Sequence, residues 1–182
     1  MPGLGTIANV AAILIGGLAG MFGGKLIPER YQKTLLSAMG VSVLFVGLAS
    51  ALSQMLYAED GTLHTQGTMM LIISLAAGAI LGELLDLEDR MERFGAWLRE
   101  KSGSQSDNSF INGFVTASLT VCIGAMAIVG AIQDGISGDH ATLFAKAVLD
   151  FVIVLVMAAS MGKGCMFSAI PVGILQGGVT LL

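Results

Sequence analysis

The chain has 182 residues, of which 54% are hydrophobic and only 12% charged, with a formal charge of −4 and a mean hydropathy of +0.82. A soluble domain carries about 25% charged residues, so this chain has about half the charge a water-facing surface needs. These values argue against a soluble globular enzyme, a disordered chain or a nucleic-acid binder, for which the chain offers no basic stripe to meet a phosphate backbone.

A helix needs about 20 apolar residues to cross the hydrocarbon core. The first such run is about Leu4 to Gly24. A secretory signal would place positive charge before its apolar core. Here Met1 to Gly24 hold no Lys or Arg, and Lys25 follows the run, so it reads as a retained membrane span. Further runs cover about Thr34 to Ala58, Thr65 to Gly82, Phe110 to Gln133, Ala141 to Met161, and Gly164 to Leu182. Lipid offers the backbone no hydrogen bonds, so spanning segments are helices or closed barrels. These runs are too long and too evenly apolar for alternating barrel strands. The expectation is an all-α, polytopic transmembrane bundle of about six spans in a single membrane domain. It divides into three spans over 1–83, a cytoplasmic segment over 84–109, and three spans over 110–182.

Loop charge sets orientation. With the N-terminus outside, Lys25, Arg30, Lys33, Arg90, Arg93, Arg99, Lys101 and Lys163 are cytoplasmic, and Lys146 alone is left over. The outer loops are then Glu59 to His64 and Asp134 to His140, with Asp139 a candidate N-cap for the fifth span. Leu84, Leu87, Met91, Phe94 and Leu98 recur at helical spacing, opposite a charged face, over Leu84 to Lys101. This predicts an amphipathic helix at the cytoplasmic interface, anchored by Trp97. The tract Ser102 to Ser109 reads as a flexible linker. A faint echo links Gly20 to Leu35 with Gly78 to Leu98, and helix ends at one membrane face would produce it equally well.

Gly16, Gly20 and Gly24 fall four apart, as do Gly78 and Gly82, and Gly173 and Gly177. Such faces let helices approach closely. They serve either packing within the chain or a homo-oligomer seam. Polar residues inside spans carry more information, because a charge near mid-bilayer costs about 2.5–3.5 kcal/mol and such residues pair or line a pathway. Asp150 lies in the fifth span with Lys146 one turn earlier. The pair is either a self-neutralising lock or a proton or cation site. Asn9, Gln54, Asn112 and Gln176 are interhelical glue or ligands. Glu83, where the third span meets the cytoplasm with Asp86, is a solvated helix end or part of an acidic mouth.

Helix breakers mark two spans. Gly124 and Gly130 flank Ala125 to Val129 in the fourth, and Pro171, followed by Gly173, falls within the sixth. A broken helix exposes backbone groups at membrane depth, which is tolerated only beside protein or a wet cavity, and transporter sites are often built this way. No cofactor, metal or catalytic motif is present. Cys122 and Cys165 lie in apolar runs, and neither His64 nor His140 has metal-ligand spacing.

Several stretches together resemble a known family. They are Gly82-Glu-Leu-Leu-Asp-Leu-Glu88, Gly113-Phe-Val-Thr-Ala-Ser118, the run from Cys122 to Gly135, Ser137-Gly-Asp139, Lys146 to Asp150, Ser168-Ala-Ile-Pro171 and Gln176-Gly177. The opening adds Gly5-Thr-Ile-Ala-Asn9 and Ile27-Pro-Glu-Arg30. They resemble the bacterial YqgA/YdfK-like inner-membrane protein family, domain of unknown function 554. The resemblance implies a multi-pass bacterial membrane protein, with no established activity and no functional residue to carry over. It also implies at least one further span beyond Gln176-Gly177. The expectation is a non-enzymatic transporter or channel for a small solute or ion, with Asp150 as the proton or cation site and Lys146 as its counter-ion. A non-transporting membrane scaffold is the alternative. The lipid bilayer is the expected partner, with a second copy joining it where a glycine face serves as a homo-oligomer seam.

Overall fold

The computed structural model describes residues 3–23, 28–59, 62–101, 103, 109–122 and 124–182. Gly24, Lys25 and most of the Ser102 to Ser109 tract lie outside the described residues. The chain divides into two compact units, Met1–Met39 with Glu92–Leu182, and Gly40–Met91.

In the first unit, α1 (Leu4–Gly23) packs mainly on α7 (Ala141–Met161). Both are long and apolar enough to cross a membrane. They run in the same direction, since Gly5 lies over Leu143, Gly16 over Phe151 and Gly20 over Leu155. A methyl group on Gly20 would sit 2.1 Å from the Leu155 carbonyl oxygen, and one on Gly16 would sit 2.6 Å from that of Phe151. The four-residue spacing therefore holds two backbones in contact, which no larger side chain allows. Gly16 and Gly20 serve packing within the chain, and their face is filled.

The fourth span is broken. It consists of α5 (Phe110–Cys122) and α6 (Ala125–Ile136), bent by 59°. At about 1.5 Å per residue neither half crosses the bilayer alone. Gly124 stands at the break in an extended conformation. Gly130 does not mark a break. It lies inside α6, where a methyl group would meet Leu143 at 2.8 Å.

The expected sixth span is also divided, though not at Pro171. α7 ends at Gly162, whose φ of 85° is left-handed and favours glycine. A 3-10 turn, Lys163–Ser168, follows, and then α8 (Ala169–Thr180). Pro171 is the third residue of α8, where a helix N–H lacks a partner in any case. The discontinuity thus falls upstream of the proline. Gly173 lies inside α8, where a methyl group would meet Val10 at 3.4 Å. α8 runs against α1, and the 3-10 turn lies against the start of α5, where Gly164 meets the Phe110 carbonyl. The apolar core between these elements includes Ile13, Ala117, Val121, Val154, Cys165 and Val172.

The second unit holds the end of α2 (Glu29–Met55), a β-hairpin of β1 (Leu56–Glu59) and β2 (Thr62–Thr65), and α3 (Thr68–Leu85). The hairpin replaces the expected plain loop. Leu56 pairs with Thr65, and Tyr57 with His64, whose rings stack at 5.5 Å. α2 and α3 are each apolar enough to span a membrane and bury no residue in the structure. A methyl group on Gly78 or Gly82 would meet nothing within 4 Å beyond the backbone of α3 itself. Asp86, with φ of 47°, ends α3, so the amphipathic α4 (Leu87–Lys101) begins three residues later than its apolar stripe suggests. Within the first unit, Leu98 of α4 is buried and Phe94 stacks edge-on against Phe114, while Trp97 is exposed. The described structure is thus an all-α polytopic bundle with several candidate spans.

The glycine contacts predict opposite outcomes at two positions. Gly20→Leu forces α1 from α7 and should lower the detergent-solubilised protein's thermal stability by about 1–3 kcal/mol or more. Gly78→Leu should leave it within about 0.5 kcal/mol. Equal unfolding midpoints in the two variants would refute the α1–α7 seam.

Candidate functional site

The first unit buries a set of polar side chains along the faces where α1, α7 and α8 meet. On α1, Thr6 and Asn9 share a face at i,i+3. On α8, Gln176 and Thr180 do so at i,i+4. The two helices run antiparallel, so these residues form two rungs. Asn9 Nδ2 donates to Gln176 Oε1 at 3.1 Å, and the Thr6 and Thr180 hydroxyls meet at 3.2 Å. All four residues are buried.

Lys146 and Asp150 lie one turn apart on α7, at 6% and 3% exposure. Lys146 Nζ donates to Asp150 Oδ2 at 2.5 Å and to the Val121 backbone carbonyl at 2.7 Å. The second bond has a clear cause. Val121 lies in the last turn of α5, where the helix stops and its carbonyls lack the amide donors of a following turn. The ammonium fills that place, and it also meets the negative end of the α5 dipole. The Asn9 carboxamide interacts in turn with the Asp150 carboxylate. The ion pair, the helix break and the Asn9–Gln176 rung are therefore one connected arrangement.

Not every buried polar atom of the described residues is matched. Asn9 Oδ1, Gln176 Nε2 and Ser118 Oγ are buried without a hydrogen-bond partner. The first two belong to the side chains of a single rung, so an unused acceptor and an unused donor flank one hydrogen bond.

A second polar group lies where α6 turns into α7. Asp134 is fully buried in the last turns of α6, not in a loop. Its Oδ2 accepts the Thr6 N–H at 3.4 Å, and its Oδ1 pairs with His140 Nδ1. Asp139 Oδ1 accepts the Ala141 N–H at 3.0 Å, ordering the start of α7. Thr142 Oγ1 donates to Gln133 Oε1 at 2.8 Å.

Of the sequence candidates, Asn9, Gln176, Lys146 and Asp150 are thus brought together, with Gly124 at the break that Lys146 closes. Glu83 is elsewhere. It is exposed in the last turn of α3, in the second unit, and its carbonyl accepts the Asp86 N–H at 3.1 Å. Asp134, His140 and Ser118 were not singled out for this role by the sequence. The i,i+6 separation of Asp134 and His140 matches no regular face, and only the tight turn after Ile136 joins them. Among the described residues, no three His, Cys, Asp or Glu side chains gather as metal ligands.

A glycine-seamed helix bundle with a broken span and a buried ion pair defines an integral membrane protein of the polytopic all-α class. Over residues 4–182 the chain matches the family described as protein of unknown function (DUF554), and it belongs to that family. It is 29% identical over 177 residues to the uncharacterized membrane protein YdfK of Bacillus subtilis (strain 168), covering 97% of this chain and 71% of that one. It is 27% identical over 177 residues to the uncharacterized protein YqgA of Escherichia coli (strain K12), covering 95% and 71%. No solved structure matches it.

The double role of Lys146 is testable by stability. Lys146→Met leaves both the Asp150 carboxylate and the Val121 carbonyl without the ammonium. Equilibrium unfolding of the reconstituted protein should show a loss of about 3–5 kcal/mol. Lys146→Met combined with Asp150→Leu should recover much of that loss, because no buried charge is then left alone. A double variant no better than the single one would show that the ion pair is not what Lys146 balances.

Proposed function

We propose that this protein is a transporter or channel for a small polar solute or ion in the bacterial inner membrane, and not an enzyme. In this reading the N-terminus faces outward, which leaves Lys146 as the one basic residue away from the cytoplasmic side. Asp150 takes up a proton or cation, and Lys146 is the counter-ion it releases. Asn9 and Gln176 line the approach.

One observation carries the reading. An unused acceptor on Asn9 and an unused donor on Gln176 flank the same bond, beside an ion pair, inside an apolar bundle. An unmatched buried polar atom costs about 1–3 kcal/mol. A network serving only to lock helices gains by satisfying every atom. Atoms left ready to donate and accept suit a path that exchanges hydrogen bonds with water or a polar solute. The broken α5–α6 span beside them supports the same reading, since irregular backbone at membrane depth accompanies protein-lined or wet cavities.

A second reading has its own support. The open faces at Gly78 and Gly82 fit a non-transporting scaffold that assembles through α3. It requires that Gly78→Leu abolish a complex while Asp150→Asn alters stability alone.

The decisive experiment is charge movement in proteoliposomes on a solid-supported membrane, screened with pH jumps, common cations and small anions. A current present in the parent and lost in Asp150→Asn is the expected result. A current of unchanged size in Asp150→Asn would remove Asp150 from the mechanism. Gln176→Leu should reduce the current without changing its sign.

A further inference from the structure

The Asp134–His140 pair has no part in the reading above. We propose that it is a proton-accepting site at the end of the same polar seam, through which Asp150 receives its proton from the medium. The proposal rests on the transporter reading in one respect, namely that Asp150 exchanges a proton.

The geometry points to it in three ways. The pair spans a step in accessibility, because the His140 side chain is 18% exposed while that of Asp134 is fully buried. An imidazole at such a boundary can exchange a proton with water on one side and with a sealed carboxylate on the other. The carboxylate is joined to the seam, since Asp134 Oδ2 accepts the Thr6 N–H and the Thr6 hydroxyl meets that of Thr180. One turn along α1 and α8 from that rung is the Asn9–Gln176 rung, and Asn9 interacts with Asp150. The charges are also in order. His140 is the group in contact with Asp134 that can become cationic. From α7 the charged residues along the seam are Lys146 and Asp150. α1 and α8 contribute Thr6 and Thr180, and Asp139 in the turn is exposed and caps Ala141.

The proton balance is simple. Hydronium gives its proton to the His140 imidazole and leaves as water. The imidazolium gives a proton to the Asp134 carboxylate. The neutral Asp134 acid then gives that proton to a water molecule entering the seam and returns to the carboxylate. The hydronium so formed passes the two rungs and delivers the proton to the Asp150 carboxylate, which becomes a neutral acid. Lys146 keeps its own protons and its bond to the Val121 carbonyl. No electron moves and no heavy-atom bond changes.

The test is time-resolved infrared spectroscopy of the full chain in proteoliposomes after a downward pH jump. The parent should develop a protonated-carboxyl band that Asp150→Asn lacks. His140→Gln should reach the same final band at least about 100-fold more slowly, within the range by which a positioned acid–base group speeds proton transfer. Imidazole added to the medium should restore the rate. His64→Gln, in the β2 strand, should match the parent. An unchanged rate in His140→Gln overturns the proposal, and so does a slowing that imidazole does not relieve, because that marks a structural role. A parent with no Asp150-dependent band is a different failure. It would refute proton exchange at Asp150, and with it the transporter mechanism proposed above.

Discussion

A peptide carbonyl without a donor is poorly tolerated in hydrocarbon, and the break in the fourth span creates one at Val121. Lys146 supplies the donor, at 2.7 Å. Much else follows from that bond. An ammonium in a dry bundle needs an anion, and Asp150 stands one helical turn away. The carboxylate in turn meets a neutral donor, the carboxamide of Asn9. Asn9 reaches it because α1 lies unusually close to α7, and that closeness depends on Gly16 and Gly20. The small residues of one helix and the charges of another are thus parts of one solution to a broken helix.

The same bundle leaves its polar interior incompletely matched. Lys146 and Asp150 are neutral as a pair, so the resting site adds no net charge to the membrane interior. The unmatched atoms lie on neutral side chains, Asn9, Gln176 and Ser118. This division separates two tasks. The charged pair stabilises the break, and the carboxamides keep hydrogen-bonding capacity in reserve. Protonating Asp150 would couple the tasks, because it removes the anion that holds Lys146 while leaving the Val121 carbonyl as its remaining acceptor.

Much of this was legible in the sequence, for physical reasons. Runs of about 20 apolar residues have few structural options in lipid, so α1 and α7 emerge close to their expected bounds. Charges in such a run are conspicuous, so Lys146 and Asp150 stood out. Their partners did not, because nothing local encodes which helix packs on which. The four-residue glycine spacing shows the difficulty well. It reads alike at Gly16 and Gly20, where α7 fills the face, and at Gly78 and Gly82, where a methyl group would meet nothing within 4 Å beyond the backbone of α3 itself. Proline misled for another reason. Pro171 marks where a helix cannot donate, but α8 starts just before it and absorbs the loss in its first turn. The left-handed Gly162 is where α7 ends. Asp134 escaped notice because a carboxylate beside a Gly-rich turn reads as solvated, whereas α6 carries it into the bundle.

The coupling of fold and site also determines which substitutions are informative. A large change at Lys146 removes the donor that closes the helix break, so a lost activity there would not separate mechanism from folding. Asp150→Asn is different. It keeps the side-chain shape and an oxygen that can accept from Lys146, and it removes only the charge and the capacity to bind a proton. The cost falls mainly on the ammonium, which retains the Val121 carbonyl. A protein that stays folded with this change, yet loses a measurable flux, can have lost it only through the chemistry of that carboxylate. Gln176 gives the complementary case, since shortening or removing its carboxamide alters a hydrogen bond to the neutral Asn9 and leaves both charged side chains in place. Charge and hydrogen bonding can therefore be varied separately in this seam, and which of them a flux follows distinguishes an ion or proton site from a polar-solute path.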